Sequence, residues 1–347
     1  MSEATASAIF APPGHARAAR LLALAEAIRP GTMRGYAFPV AAGDAVGLGR
    51  EAVYWNGDDV SRLGRAALFG FAYHNPVVPQ TPVETDWSLW QYDYISEQQK
   101  TSFLYSAFSE ISRRGVRLYN PPSVYLDCAT KPDLLLSAQA AGAQIPALIC
   151  TNSRDEAEAF AAEHEIVLWR PATGRAAWQV CGERQREALF ATDQPPVLLA
   201  AVVPGLFLRC YLCDGEPVLA LRFGAPAQTP LERLEFFQLE PDTVFYPALR
   251  EIAANSGLRW GVIHAAVEGE RVTVYDIDPD PVTSALPEAV NTYLLKVLAC
   301  HLMAEPAPLP AVLGEDALVR ELPFLRRMLS VLFDIERSKY APAVAAS

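Results

Sequence analysis

Between Leu258 and Pro281 the chain reads as two β-strands and little else. Trp260 to Val267 and Arg271 to Ile277 are rich in β-branched and aromatic residues, and Glu268-Gly269-Glu270 between them supplies a tight turn. Alternation along the strands, with the turn centred on Gly269, sets His264, Val274, Asp276 and Asp278 on one face. His264 is then expected opposite Val274 and diagonal to Asp276, roughly 7–8 Å away. Two carboxylates closing an otherwise apolar strand repel each other and require solvent, a base or an oxygen-preferring cation. A polar strand end running into the loop at Pro279 and Pro281 meets that requirement, and so does a metal site.

The 347 residues exceed one ordinary core and predict two or three lobes. A hydrophobic content of 51% with 20% charged residues describes a buried globular chain. The net charge of −11 argues against phosphate-neutralising contact with nucleic acid, although 29 Lys and Arg leave room for a local basic pocket. No basic segment precedes an apolar run at the N-terminus, and the longest apolar stretch, Pro196 to Leu208, is too short to cross a bilayer. Six scattered cysteines form no disulfide framework. The expectation is a soluble, cytoplasmic protein with no membrane and no nucleic-acid partner.

In chain order, residues 1–12 look loose, and His15 to Ile28 predicts an amphipathic helix stopped by Pro30-Gly31. Strand-like runs occupy Ala45 to Trp55 and Ala66 to Tyr73, and His74 beside Asn75-Pro76 reads as a loop histidine. Ser96 to Arg113 predicts a helix buried through Phe103, Leu104, Ala107, Phe108 and Ile111, followed by a strand at Val116 to Tyr119. Asn120-Pro121-Pro122 marks a boundary, after which Lys131 to Ala141 predicts a helix ended by Gly142. Strands at Ile145 to Cys150 and Ile166 to Pro171 flank a helix capped by Asn152 or Ser153, and Ala172 to Trp178 reads as a loop. Pro196 to Val203 is a further strand, Phe207 to Leu212 and Pro217 to Phe223 a second hairpin, and Glu288 to Met303 and Glu315 to Arg337 closing helices.

Lys131, Arg170, Arg209 and Arg222 stand at the ends or centres of these apolar elements. Singly, each reads as a structural cation; together with the acidic strand end they frame a polyphosphate and its metal. Neither a Walker-type loop nor a G-x-G-x-x-G fingerprint is present. Cys210 and Cys213 lack a second ligand pair for zinc and read as packed thiols.

The order Tyr94 to Lys100, Asn120-Pro121, Lys131, Gly142-x-x-Ile-Pro146, Thr151-Asn152, Pro204-Gly205-x-x-x-Arg209, Arg222 and the final hairpin resembles the ATP-grasp superfamily. Amino-acid-adding ligases and the peptide maturases that make graspetides are the nearest kin. The resemblance implies an α/β (α+β) fold: an N-terminal lobe over residues 1–122, a central subdomain over 123–200 and a C-terminal subdomain over 201–340, the last two enclosing a cleft. It implies ATP with Mg2+ or Mn2+, the nucleotide held by Lys131, Arg170 and Arg209, the metal by His264, Asp276 and Asp278, and catalytic roles for Arg209 and Arg222. The implied reaction joins a carboxylate to an amine through an acyl phosphate, on a small-molecule or peptide substrate. Dimerisation is a further expectation from the family.

Several positions depart from the family pattern. Arg170 replaces lysine, Ala200-Ala201 a Gln-Glu pair, Phe207 an acid and His264 an aspartate. Asp276 and Asp278 stand for glutamate and asparagine, and Thr173 to Ala177 has one glycine where the family's phosphate cover has several. The alternative reading is therefore a degenerate ATP-grasp protein without turnover that binds a peptide, a nucleotide or a partner enzyme.

Overall fold

The structure, a computed structural model, describes residues 6–38, 45–71, 87–174, 176–190, 195–223, 235–239, 242–281, 283 and 286–308. His74 and the expected helix Glu315 to Arg337 lie outside these residues.

The first lobe is built from β1 (Ser7–Ala11), α1 (Ala16–Ile28), β2 (Met33–Ala37), β3 (Val46–Leu48), β4 (Val53–Trp55), β5 (Asp58–Asp59), β6 (Arg65–Leu68), α2 (Trp87–Arg113) and β7 (Arg117–Tyr119). Its main sheet runs β2-β1-β6-β7, with every pairing parallel; β3, β4 and β5 form a small antiparallel sheet beside it. The expectation of a loose N-terminus is corrected here. Ser7–Ala11 is buried along its whole length, and a strand covered on both faces carries no polar–apolar alternation to betray it. Helix α2 begins nine residues before the expected Ser96, because Trp87, Leu89, Tyr92, Tyr94 and Ile95 are all exposed and mark no buried stripe.

Next come α3 (Pro122–Ala129), α4 (Lys131–Ala140), β8 (Leu148–Thr151), α5 (Arg154–Glu163), β9 (Val167–Pro171), β10 (Gln179–Val180), α6 (Glu183–Leu189) and β11 (Val197–Ala201). The strands form an antiparallel sheet in the order β10-β9-β11-β8. The Ser153 hydroxyl caps α5 by accepting from the Glu156 amide at 3.4 Å. Helix α3 was hidden by Pro121-Pro122, read as a break; Pro122 instead occupies the first turn, where its missing N–H costs nothing.

The last group is β12 (Leu206–Cys213), β13 (Glu216–Phe223), β14 (Glu235–Gln238), α7 (Tyr246–Asn255), β15 (Trp260–Glu268), β16 (Arg271–Asp278) and α8 (Glu288–Met303). Its antiparallel sheet runs β14-β13-β12-β15-β16. Cys210 and Cys213 are buried free thiols in β12. Helix α8 packs back on α1, β1 and β6, so one apolar cluster joins Ile9 and Leu21 to Tyr211, Trp260 and Leu294. Asn120, fully buried after β7, fastens the sheets together. Its amide donates to the carbonyls of Trp260 (2.6 Å) and Pro279 (2.8 Å), and its oxygen accepts from the amides of Arg259 (2.7 Å) and Trp260 (2.9 Å). Among the described residues no helix is long and apolar enough to cross a membrane.

Candidate functional site

The hairpin β15–β16 forms where expected, with Gly269 at positive φ (61°) in its turn. Its register differs. A β-bulge beside His264 and Ala265 leaves Tyr275 as the extra residue, so His264 lies directly opposite Asp276 while Val274 faces Ala265. Val274 therefore joins Ala265 and Ile263 in the apolar cluster beneath, away from the polar face expected for it. Tyr275 ties the bulge to the neighbouring sheet: its hydroxyl donates to Ala201 O (2.8 Å) and accepts from the Val203 amide (2.9 Å).

Arg209 on β12 pairs with His264, and His264 with Asp276, giving a polar row across three adjacent strands. From the other side α4 presents Lys131 and β9 presents Arg170. The Lys131 ammonium donates to Asp276 Oδ1 at 2.6 Å and to Ile277 O at 3.2 Å. The Arg170 guanidinium donates to Asp276 Oδ2 at 2.6 Å and to Gly174 O at 3.2 Å, and lies over the Trp178 ring, 5.4 Å from its centroid. The Ile277 amide adds a third donor to the carboxylate at 2.8 Å. Relative exposures of 2% for Lys131, 1% for Arg170 and 7% for Asp276 mean that two cations share one carboxylate with almost no solvent between them.

Burial would raise the Asp276 pKa, but Lys131 and Arg170 outweigh it and hold the carboxyl well below the usual carboxylate range. For His264, burial first and the nearby Arg209 charge second lower the pKa to about 3, so the imidazole is neutral at physiological pH. Asp278 stands opposite Val262, and its carboxylate accepts from the Asp280 amide at 3.0 Å. Arg222 lies in β13 in register with Leu208, one position beyond the residue that faces Arg209. Among the described residues, no group of three His, Cys, Asp or Glu is arranged to hold a metal.

The loop after β9 is fastened over this cluster. Lys131 N donates to Ala172 O (3.0 Å), Gly174 N to Ala129 O (3.1 Å), and Thr130 and Thr173 form an antiparallel bridge. Ala200 and Ala201 are buried at the end of β11, and the Phe207 ring meets Tyr275 edge-on at 5.9 Å. Trp178 and Tyr275, given no site role from the sequence, complete the surround, with Trp178 Nε1 donating to Tyr275 O at 3.1 Å. A lone Trp in a loop and a Tyr inside an apolar strand carry no sequence signal that separates such a role from ordinary packing.

No protein-family model and no curated protein sequence matches the chain. Solved structures do. The ATP-grasp ligase PsnB, complexed with minimal precursor, Mg and ADP, superposes with a TM-score of 0.69 at 17% identity, over 86% of this chain and 97% of that one. The macrocyclase MdnC from Microcystis aeruginosa, bound with precursor peptide MdnA, gives 0.61 at 13% identity, over 86% and 100%. A RimK domain ATP-grasp protein from Sphaerobacter thermophilus gives 0.53 at 14% identity, over 85% and 98%. The chain has the ATP-grasp fold.

Proposed function

We propose that this chain is an ATP-grasp-fold protein that binds a peptide or a partner protein without turning over ATP. The observation that carries this reading is the Lys131–Asp276–Arg170 triad. The two cations that would cradle phosphate are both engaged by one carboxylate, and the carboxylate that would bind metal has three donors on its two oxygens. Magnesium demands near-ideal octahedral oxygen coordination, and a neutral imidazole at His264 is a poor member of such a set. These residues therefore do not fit Mg–ATP. Ala200 and Ala201 offer no acidic side chain for a nucleotide's amine or ribose, which agrees with the same reading.

A peptide partner is the natural occupant by analogy, since PsnB and MdnC were solved with precursor peptides. The division at 1–122, 123–200 and 201–340 belongs to this proposal; each range holds its own sheet, although α8 crosses back to the first. A second reading, an active carboxylate–amine ligase, draws on the convergence of Lys131, Arg170 and the Arg209 row on Asp276. It requires ligand to open both ion pairs. Thermal melts of the full chain with ATP and with Mg2+ or Mn2+, alone and together, separate the two: the proposal expects no metal-dependent stabilisation, and a ligase expects it.

A further inference from the structure

Helix α2 is packed along only part of its length. Phe103, Leu104, Ala107, Phe108 and Ile111 pack on the first lobe, whereas the turns before them carry Trp87 (54% exposed), Leu89 (54%), Tyr92 (71%), Tyr94 (39%) and Ile95 (54%). No other stretch of nine described residues exposes more than two large apolar side chains. Single apolar residues on a surface are ordinary, but a contiguous group marks a contact surface. Trp87 and Tyr94 share one stripe of the helix, and Leu89, Tyr92 and Ile95 the stripe beside it, which makes the face broad enough to seat a second helix.

The chain itself supplies a complementary surface. Leu325, Met328, Leu329, Leu332 and Phe333 recur at i, i+3, i+4, i+7 and i+8, with Arg326, Arg327, Ser330 and Asp334 between them. That spacing predicts an amphipathic helix with one apolar stripe to cover, and Pro323 just before it suits a first turn. The last described residues are fixed at the edge where the strands of the first lobe begin: Ser7 Oγ donates to Leu302 O at 2.6 Å, and Arg29 pairs with Glu305 at 2.5 Å. Helix α2 ends at that same edge, since Arg113 lies just before β7 begins at Arg117. Its exposed turns therefore stand roughly 33 Å away along the helix axis. Residues 309–322 can span about 46 Å, enough to carry the stripe there around the edge of the sheet. A tethered segment also outcompetes a separate molecule through its effective concentration.

We propose that residues 324–337 fold back as a helix and dock on the exposed face of α2, with Leu325, Met328, Leu329, Leu332 and Phe333 against Tyr92 and Ile95 at its centre. This assignment does not depend on what the triad binds.

The test places p-benzoyl-phenylalanine at Tyr92 of the full chain and maps the photoproduct by mass spectrometry. A cross-link within one chain to residues 324–337 is expected, with a yield independent of protein concentration. Hydrogen exchange supplies a second reading. In the full-length double variant Tyr92→Lys, Ile95→Lys, the amides of 324–337 are expected to exchange at least about tenfold faster, the effect of losing one well-buried apolar side chain, while β1 and β6 keep their protection. The reciprocal variant Leu329→Lys, Leu332→Lys is expected to speed exchange over residues 87–95. Cross-links between chains, with a particle mass that rises with concentration, would assign the face to a second copy and overturn the proposal. Cross-links elsewhere in the chain, none at all, or exchange in 324–337 that ignores both substitutions on α2 would overturn it equally.

Discussion

Lys131 Nζ and Asp276 Oδ1 stand 2.6 Å apart in a pocket from which water is almost wholly excluded. Arg170 takes the second oxygen, so one carboxylate serves two buried cations supplied by different sheets and helices. A buried ion pair is weak grounds for extra stability, but breaking one by removing a partner is severe. Replacing Asp276 by Ala is therefore expected to destabilise the fold by about 3–5 kcal/mol, because two desolvated cations lose their counter-charge. Chemical denaturation checks this. A loss below about 1 kcal/mol, the range of exposed pairs, would show that water reaches the triad freely.

Stability should depend on pH through His264. Its folded pKa, about 3, lies below the usual 6.5, so the unfolded chain binds a proton over that interval that the native state refuses. The contribution is fully present above about 6.5 and declines as pH falls towards about 3. Asp276, with its pKa also depressed, adds a loss only below the ordinary carboxylate range. The variant His264→Gln is expected to flatten the limb between about 6.5 and 4 while leaving the acid limb in place. Denaturation midpoints across pH supply the measurement, and an unchanged limb in the variant would contradict the assignment.

Asn120 makes its hydrogen bonds to backbone groups of Arg259, Trp260 and Pro279 without access to solvent. Its replacement by Ala leaves the Trp260 amide and carbonyl among buried groups without their partner, a penalty of about 1–3 kcal/mol for each group left unpaired. Amide hydrogen exchange at Trp260 should accelerate together with the global loss. Unchanged protection there would show that Asn120 is dispensable to the junction.

At Gly205 the backbone has φ of 128°, and an added Cβ would meet Val267 O at 2.8 Å. Both the conformation and the contact oppose a side chain, and the obstacle is backbone that cannot turn aside. Gly205→Ala is expected to cost roughly 1–3 kcal/mol. A neutral effect in thermal melts would mean that the segment entering β12 has a different path.

Much of the architecture was legible because it follows periodicity. The β15–β16 hairpin carries β-branched runs, both hairpins turn on glycine, at Asp214-Gly215 and at Gly269, and α8 begins and ends at the expected Glu288 and Met303. What escaped has common physical causes. Ser7–Ala11 is buried on both faces and so resembles an arbitrary apolar string, while the bulge at Tyr275 is one residue of slack that alternation alone does not reveal. The cations Lys131, Arg170 and Arg209 could be singled out because charge inside an apolar element is unusual. That Lys131 and Arg170 close directly on Asp276 could not, since ion pairing between residues 106 and 145 positions apart leaves no local pattern. Arg17 and Asp280 form a half-buried pair beside Gly70, and it too leaves no local pattern.

Isothermal titration calorimetry of ATP into the full chain, with Mg2+ or Mn2+ present and then absent, addresses the closed triad most directly. The account predicts no saturable, metal-dependent heat for the parent protein. Metal-dependent binding that disappears in both Lys131→Ala and Asp276→Ala, with folding retained, would contradict it and restore an ATP-driven ligase.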